Sequence, residues 1–245
     1  MADTEQPYLS LIIPAFNEER RIGKSLVRIL AFLHSQPRSF EVIIVDDGSR
    51  DRTVEVVRQA HRADPAVRVE PQRCNLGKGE AIRKGMLAAR GRYLFFSDAD
   101  LSVPIEALPN FLSRLEGGAD VAIGSRRKAG AVIEIHQPPH RELMGKVFTR
   151  LSSWILALPI SDFTCGFKGF RREAARELFS RQRLRDWSFD AEILYLAKIK
   201  GYRTSEIPVS WSDDRATKVS LGKAVFTSFL GLLKIRQNHL LGKYR

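Results

Sequence analysis

Apolar residues fall along this chain in short runs of strand length, separated by longer stretches in which they recur every three or four positions. Leu9-Ser10-Leu11-Ile12-Ile13 and Val42-Ile43-Ile44-Val45 are clear runs; Tyr93-Leu94-Phe95-Phe96 is the most abrupt, because it ends in Ser97-Asp98-Ala99-Asp100. Runs rich in β-branched and aromatic side chains and bounded by turn residues read as strands, and the three-four spacing reads as helix. The pattern predicts strands over 8–14, 40–45, 67–70, 93–97 and 120–124, and helices over 19–33, 53–63, 79–89 and 104–115. Such alternation implies parallel β-α-β units with helices on both faces of the sheet. Strands buried on both faces are apolar throughout rather than at every second position.

Beyond residue 124 the alternation breaks. Residues 125–141 carry Arg126, Arg127, Lys128 and the Pro138-Pro139 pair, and read as an extended loop. A helix over 143–158 follows, with a wide apolar face that includes Val147, Leu151 and Trp154. Next come a loop running into a strand over 162–170, helices over 172–179 and 189–200, a strand over 203–211, and an amphipathic helix from 221 to the last residue. The organisation expected is a main domain over 1–218 and a carboxyl-terminal amphipathic element over 219–245.

Composition adds a direction. The 245 residues are 44% apolar, ample for a core, and the net charge is +12 with 40 Lys and Arg against 28 Asp and Glu. Such an excess points to an anionic partner: nucleic acid, an anionic membrane or a phosphorylated substrate. Cys74 and Cys165 are too few for a disulfide framework, which makes a reducing cytoplasm the default. Residues 1–7 are polar and acidic, unlike a signal peptide, and no apolar stretch reaches spanning length, so any membrane contact is expected to be peripheral. Past Asp214 no acidic residue occurs, while Arg215, Lys218, Lys223, Lys234, Arg236, Lys243 and Arg245 are basic and interleaved with apolar positions. That stretch fits an in-plane membrane helix, and it fits equally a helix packed on the domain with a solvated basic face.

Asp98-Ala99-Asp100 places two carboxylates at the carboxyl end of a buried strand, where an open α/β sheet keeps its ligand crevice. Taken alone, a strand followed by a helix-capping Asp is the simpler reading. Val45-Asp46-Asp47-Gly48-Ser49 ends the second strand, expected as the neighbouring edge. Asn75-Leu76-Gly77-Lys78-Gly79 precedes a helix, where glycines allow close backbone approach and a lysine can meet a phosphate. At successive strand ends these motifs together describe a site for a nucleoside diphosphate and a hard cation, Mg²⁺ or Mn²⁺. No G-x-G-x-x-G follows the first strand, where Pro14-Ala15-Phe16-Asn17-Glu18 stands instead.

On Ile12-Ile13-Pro14-Ala15-Phe16-Asn17-Glu18, Val45-Asp46-Asp47-Gly48-Ser49, Asn75-Leu76-Gly77-Lys78-Gly79 and Asp98-Ala99-Asp100, the chain resembles the family 2 glycosyltransferases. Four later motifs narrow the likeness to dolichyl-phosphate and polyprenyl-phosphate β-glucosyltransferases. These are Gly124-Ser125-Arg126, Asp162-Phe163-Thr164-Cys165-Gly166-Phe167-Lys168, Trp187-Ser188-Phe189-Asp190-Ala191-Glu192 and Glu206-Ile207-Pro208-Val209-Ser210-Trp211. The resemblance implies a GT-A fold: Rossmann-like, α/β, with a mixed, mostly parallel sheet, helices on both faces and carboxyl-terminal amphipathic helices. It implies that Pro14, Ala15, Asn17, Glu18, Asp46 and Asp47 hold the nucleoside, and that Asp98, Ala99 and Asp100 flank the diphosphate and the metal. Asp98 and Asp100 would be the metal ligands, with Lys78, Arg215 and Lys218 on the diphosphate. A Gln that follows the second acid in mannosyl-transferring relatives is Ser102 here, so the coordination sphere does not transfer residue by residue.

The acceptor decides whether a base is needed. A sugar hydroxyl must lose a proton as it attacks, whereas a lipid monophosphate, with a second pKa of about 6, is already ionised near neutrality. Arg126 and Arg141 match positions proposed to receive that phosphate, and Asp190 and Glu192 lie where hydroxyl-accepting relatives keep their base, expected here to orient the sugar or structure the site rather than to transfer a proton. Asp100, Arg126 and Asp190 are therefore the catalytic candidates. The activity expected is inverting transfer of a hexose, glucose from UDP-glucose, to a polyprenyl or dolichyl phosphate at the cytoplasmic membrane face, with a homo-oligomer possible. The competing readings are mannosyl or N-acetylhexosaminyl transfer, a saccharide hydroxyl acceptor, and a basic nucleic-acid-binding protein, against which the absence of a recognised module argues.

Overall fold

The computed structural model describes residues 6–213 and 221–245, with side chains from residue 227 in the final segment. Seven strands form one sheet: β1 (Leu9–Ala15), β2 (Phe40–Asp46), β3 (Val67–Pro71), β4 (Tyr93–Phe96), β5 (Val121–Ser125), β7 (Lys168–Arg171) and β8 (Thr204–Pro208), in the order β3-β2-β1-β4-β7-β5-β8. β1 pairs in parallel with β2 on one side and β4 on the other. The carboxyl end of β1 is thus a topological switch point, with the ends of β2 and β4 flanking it. The two acid motifs do not sit on neighbouring strands as expected, since β1 lies between them.

The helices are α1 (Ile22–His34), α2 (Thr53–Ala63), α3 (Lys78–Ala88), α4 (Leu108–Glu116), α5 (Pro139–Leu156), α6 (Arg172–Arg181), α7 (Phe189–Ile199) and α8 (Leu221–Leu240), with a short 3₁₀ turn (Ile105–Ala107) before α4. Alternation along the strands feeds two cores. Ile12, Ile43, Val45 and Phe96 pack on one face with Phe170, Phe179 and Phe189, while Leu11, Ile13, Val42, Ile44 and Phe95 pack on the other. Phe96 lies 6.1 Å from Phe170 and 5.9 Å from Phe189, ring centre to ring centre, in the range of favourable aromatic pairs. Leu232 and Ile235 of α8 join that first core.

In the second half, the sheet is mixed because β7 inserts antiparallel between β4 and β5, pairing Lys168 with Phe96 and with Ile123. Its entry, residues 162–167, therefore lies at the same edge as the carboxyl ends of β4 and β5. Residues 125–141 are not one loop: β6 (Val132–Ile135) pairs in parallel with β9 (Ser210–Ser212), and α5 begins at Pro139. Proline's fixed φ and missing N–H suit the first helical turn, so the Pro pair that read as loop starts a helix. That helix ends at Leu156, where Ala157 turns left-handed at φ 50°. The strand expected over 203–211 is two, β8 and β9, because the chain leaves the large sheet after Pro208 and joins β6.

α3 sits close enough to the sheet that a Cβ on Gly85 would fall 2.5 Å from Ile12 Cγ2 and 2.8 Å from Val45 Cγ2. Alanine there would gain about 1 kcal/mol of helix propensity, but overpacking a dense core costs about 1–3 kcal/mol. Gly85→Ala is expected to lower stability, read as an earlier midpoint in urea at an unchanged slope.

Candidate active site

A cleft of about 850 Å³ opens along the carboxyl edge of the sheet. Pro14, Ala15, Glu18, Asp47, Lys78, Asp98, Ala99, Asp100, Arg126 and Arg141 line it. Asn17, Asp46 and Asp190 do not. Arg215 and Lys218 lie outside the described residues.

The wall at β1 and β2 is a set of turns held by side chains. The Asp47 carboxylate accepts the N–H groups of Leu76 at 2.7 Å and Gly77 at 3.0 Å and the Gln72 amide at 3.0 Å, so it shapes the turn before α3. Burial holds the Asp47 carboxyl above its usual pKa despite the two backbone bonds. Asp46 accepts the Ser49 N–H at 3.2 Å, and Asn17 Oδ1 accepts that of Arg50 at 2.8 Å. Both brace the loops that carry Ala15 and Asp47, Asp46 from a buried position and Asn17 from a half-buried one. Gly48, at φ +73°, lets residues 46–49 meet the 74–75 backbone, because a Cβ would stand 2.6 Å from Cys74 C. Glu18 faces the cleft with both oxygens bonded by Arg21 at 2.6 Å.

Opposite the end of β4, Lys78 begins α3 and its Nζ lies 2.5 Å from Asp98 Oδ1. Burial would depress this ammonium, but Asp98 and then Asp190 carry its pKa above the ordinary value. Trp187 lies over it, with Nζ 4.8 Å from the ring centre. Asp98 presses against Gly166, where a Cβ would meet its Oδ2 at 1.9 Å. Asp100 receives the Ser102 N–H at 3.0 Å and hydroxyl at 2.9 Å; burial first and Asp98 second push its carboxyl up in pKa. Two half-buried acids that repel one another across a single residue suit a divalent cation shared with a diphosphate. Among the described residues no group of three His, Cys, Asp or Glu forms a closed metal cage, so donor oxygens would complete the shell.

Two strands away, Arg126 follows β5. Its Nε and Nη2 donate to Asp162 at 2.7 and 2.9 Å, Nη2 donates to Thr164 Oγ1 at 2.8 Å, and its guanidinium lies 5.3 Å from the Trp211 ring. Burial would raise Asp162 and lower Arg126, but each partner reverses the other's shift, leaving Asp162 well below the carboxylate range and Arg126 above its own. Arg141 stands in the first turn of α5, where the helix dipole also favours an anion. Asp190 lies below this floor in α7, bonded at 2.5 Å by Lys168, which also donates to Cys165 O at 2.7 Å. Sequence reading assigned no role to Trp187, Gly166 or Asp213, which also line the cleft. Gly166 was visible only as a motif letter, since its close approach to Asp98 is a tertiary fact.

A sequence model described as glycosyl transferase family 2 matches residues 10–179. The chain belongs to this family. The transferase is 36% identical over 265 residues to a dolichyl-phosphate beta-glucosyltransferase of Drosophila melanogaster, covering 100% of this chain and 79% of that one. It is 34% identical over 261 residues to the protein of the same name from Saccharomyces cerevisiae, covering 99% and 78%. In three dimensions the transferase matches glucosyl-3-phosphoglycerate synthase from Mycobacterium tuberculosis in complex with Mn²⁺ and UDP-glucose. The TM-score is 0.66 at 18% identity, over 94% of this chain and 79% of that one. The fold is the GT-A type expected, with its mixed, mostly parallel sheet.

The Arg126–Asp162 pair carries a pH signature for the transferase. Asp162 has a depressed folded pKa, so its contribution is complete above the unfolded value near 3.9 and is lost as pH falls toward the much lower folded one. Asp162→Asn removes the enclosed partner of a largely covered guanidinium and is expected to cost about 3 kcal/mol at pH 7, roughly 6–12 °C in Tm. Thermal melts across pH 2–7 should show a shallower acid-side loss for the variant than for the parent.

Proposed function

We propose that this transferase moves glucose from UDP-glucose to a dolichyl or polyprenyl phosphate with inversion, forming a β-linked lipid-phosphate glucose. One observation carries the acceptor assignment: Arg126 and Arg141 face the cleft, while Asp190 is buried beneath it in an ion pair with Lys168. The cleft thus offers cations to an acceptor already ionised at neutral pH and keeps Asp190, at the position where hydroxyl-accepting relatives hold their base, out of its lining. The relatives' names point the same way on sugar and lipid.

Pro14, Ala15, Glu18 and Asp47 would receive the nucleoside, with Asp46 and Asn17 bracing that wall. Lys78 and the amino terminus of α3 meet the diphosphate. Asp98 and Asp100 would hold Mg²⁺ or Mn²⁺, which would supply Lewis-acid neutralisation of charge on the UDP leaving group. Arg126, clamped by Asp162 and backed by Trp211, presents a fixed guanidinium to the acceptor phosphate. A phosphate oxygen attacks the anomeric carbon from the face opposite UDP, the bond to UDP breaks, and no proton need be removed. Asp190 and Lys168 set the position of the floor under Lys78.

Purified protein with radiolabelled UDP-glucose, Mn²⁺ and polyprenyl phosphate should yield organic-extractable label, and Asp100→Ala should reduce it at least roughly a hundredfold. Label that enters the organic phase only from another sugar nucleotide would reassign the donor; label that never enters it would sink the lipid acceptor.

Peripheral contact with an anionic, cytoplasmic-side membrane completes the reading. Leu143, Val147 and Trp154 of α5 are exposed, Trp154 by 81%, as are Leu230 and Leu233 of α8, which packs beside α5. Lys146, Arg150, Lys234 and Arg236 flank them, and each near-surface cation gains about 1 kcal/mol from anionic lipid. No helix among the described residues is long and apolar enough to cross a membrane. In flotation with phosphatidylserine vesicles, replacing Trp154 and Leu143 by Ser should weaken binding about tenfold or more without changing Kd for UDP. Unchanged flotation would remove this face from the membrane.

A further inference from the structure

Residues 182–188, between α6 and α7, form a strap across the amino terminus of α3. The Arg185 carbonyl accepts the Glu80 N–H at 3.3 Å, and a Cβ on Gly77 or Gly79 would lie 2.6 or 2.8 Å from that oxygen. At the root, the buried Gln182 amide donates to Gly79 O at 2.9 Å and Leu184 O at 2.7 Å. At the other end the strap delivers Trp187 to the Lys78 ammonium. The strap therefore fixes both the glycine turn and the lysine on the diphosphate side of the cleft.

What holds the strap comes from far along the chain. One oxygen of Glu192, in the first turn of α7, accepts the N–H groups of Arg183 at 3.0 Å and Leu184 at 2.8 Å. The other accepts the Tyr244 hydroxyl at 2.5 Å, and Asn238 Nδ2 reaches that hydroxyl at 3.4 Å. Glu192 and Tyr244 are both buried, and neither lines the cleft. From below, α8 presents Gly231 to Ser188, next to Trp187, where a Cβ would fall 2.1 Å from Ser188 Oγ. Burial and the Glu192 carboxylate hold the Tyr244 phenol above its ordinary pKa, so it stays a donor at neutral pH.

We propose that Tyr244 is a positioning residue for donor binding: through Glu192 it latches the 182–188 strap, so that Trp187 and Lys78 stand ready for a nucleoside diphosphate. The inference deepens, and rests on, the reading of this wall as the donor side. Tyr244→Phe keeps the packed ring and removes only the hydroxyl. Losing the buried hydrogen bond to the Glu192 carboxyl group should raise Kd for UDP with Mn²⁺ about tenfold by titration calorimetry. In the ligand-free protein with Trp154 and Trp211 replaced by Phe, acrylamide should quench Trp187 more strongly when Tyr244→Phe is added. Gly231→Ala, which pushes the strap from the α8 side, should move both readouts in the same direction.

Leu33→Ala, a core truncation at the end of α1 in the opposite core, should lower Tm and leave both readouts unchanged. The latch is wrong if Tyr244→Phe leaves UDP affinity and Trp187 quenching at parental values, or if Leu33→Ala weakens UDP as much. Failure of the parent protein to bind UDP would instead overturn the donor assignment, and quenching in the ligand-free protein would still decide the latch.

Discussion

A sheet buried on both faces has only its ends to give to chemistry. β1, β2 and β4 are apolar through their middles, with Leu11, Ile12 and Ile13 of β1 and Leu94, Phe95 and Phe96 of β4 fully enclosed, and the buried Glu41 near the amino end of β2 is held by the Ser10 hydroxyl, the Arg90 N–H and Arg68. Charged side chains along them would face a desolvation cost of several kcal/mol each. The carboxylates are therefore pushed to the carboxyl edge, at Asp46-Asp47 and Asp98-Asp100, where the chain turns and water or a ligand can reach them. The site is the place where the burial constraint ends.

Charges still crowd there, and they are managed by pairing. Lys78 with Asp98, Arg126 with Asp162 and Lys168 with Asp190 lie along one edge and its floor. The pairs differ in what they leave available. Asp162 and Lys168 are wholly enclosed, so the first serves to aim Arg126 and the second to neutralise Asp190. Asp98 remains partly open beside Asp100, leaving an acid pair that a cation can bridge. Aromatic rings back all three cations, Trp187 at Lys78, Trp211 at Arg126 and Phe96 at Lys168. A substrate would then meet side chains already held in place, with little ordering left for binding to supply.

The first half of the fold was legible because its strands are long, doubly buried and punctuated by turns; β2 and α2 run over nearly the predicted residues. The second half hid its pairing. Nothing local in Lys168-Gly169-Phe170-Arg171 says that it will lie antiparallel between β4 and β5, and Val132–Ile135 is too short and exposed to outweigh the prolines that follow it. The site was legible as residue types at strand ends, including Lys78, Asp98, Asp100 and Arg126. Which acids face the cleft was not. Asp46 and Asn17 brace loops and Asp190 sits under the floor, and such distinctions depend on rotamers and neighbours that a sequence pattern does not carry. Tyr244 gave no signal, because its partner Glu192 is 52 positions away.

The inserted strand also sets an order of assembly. β4 pairs with β1 on one side only until β7 arrives on the other, and β5 has no place in the large sheet before β7 lies between them. Both of β7's registers join residues distant in sequence, Phe96 with Lys168 and Ile123 with Lys168, so the cost of closing those loops comes before the contacts that reward it. Until then, the four-residue edge Tyr93–Phe96, rich in aromatics, stands open as a template for another chain. The strand whose end carries the acid pair is thus also one whose second edge stays unpaired until a distant segment of the chain arrives.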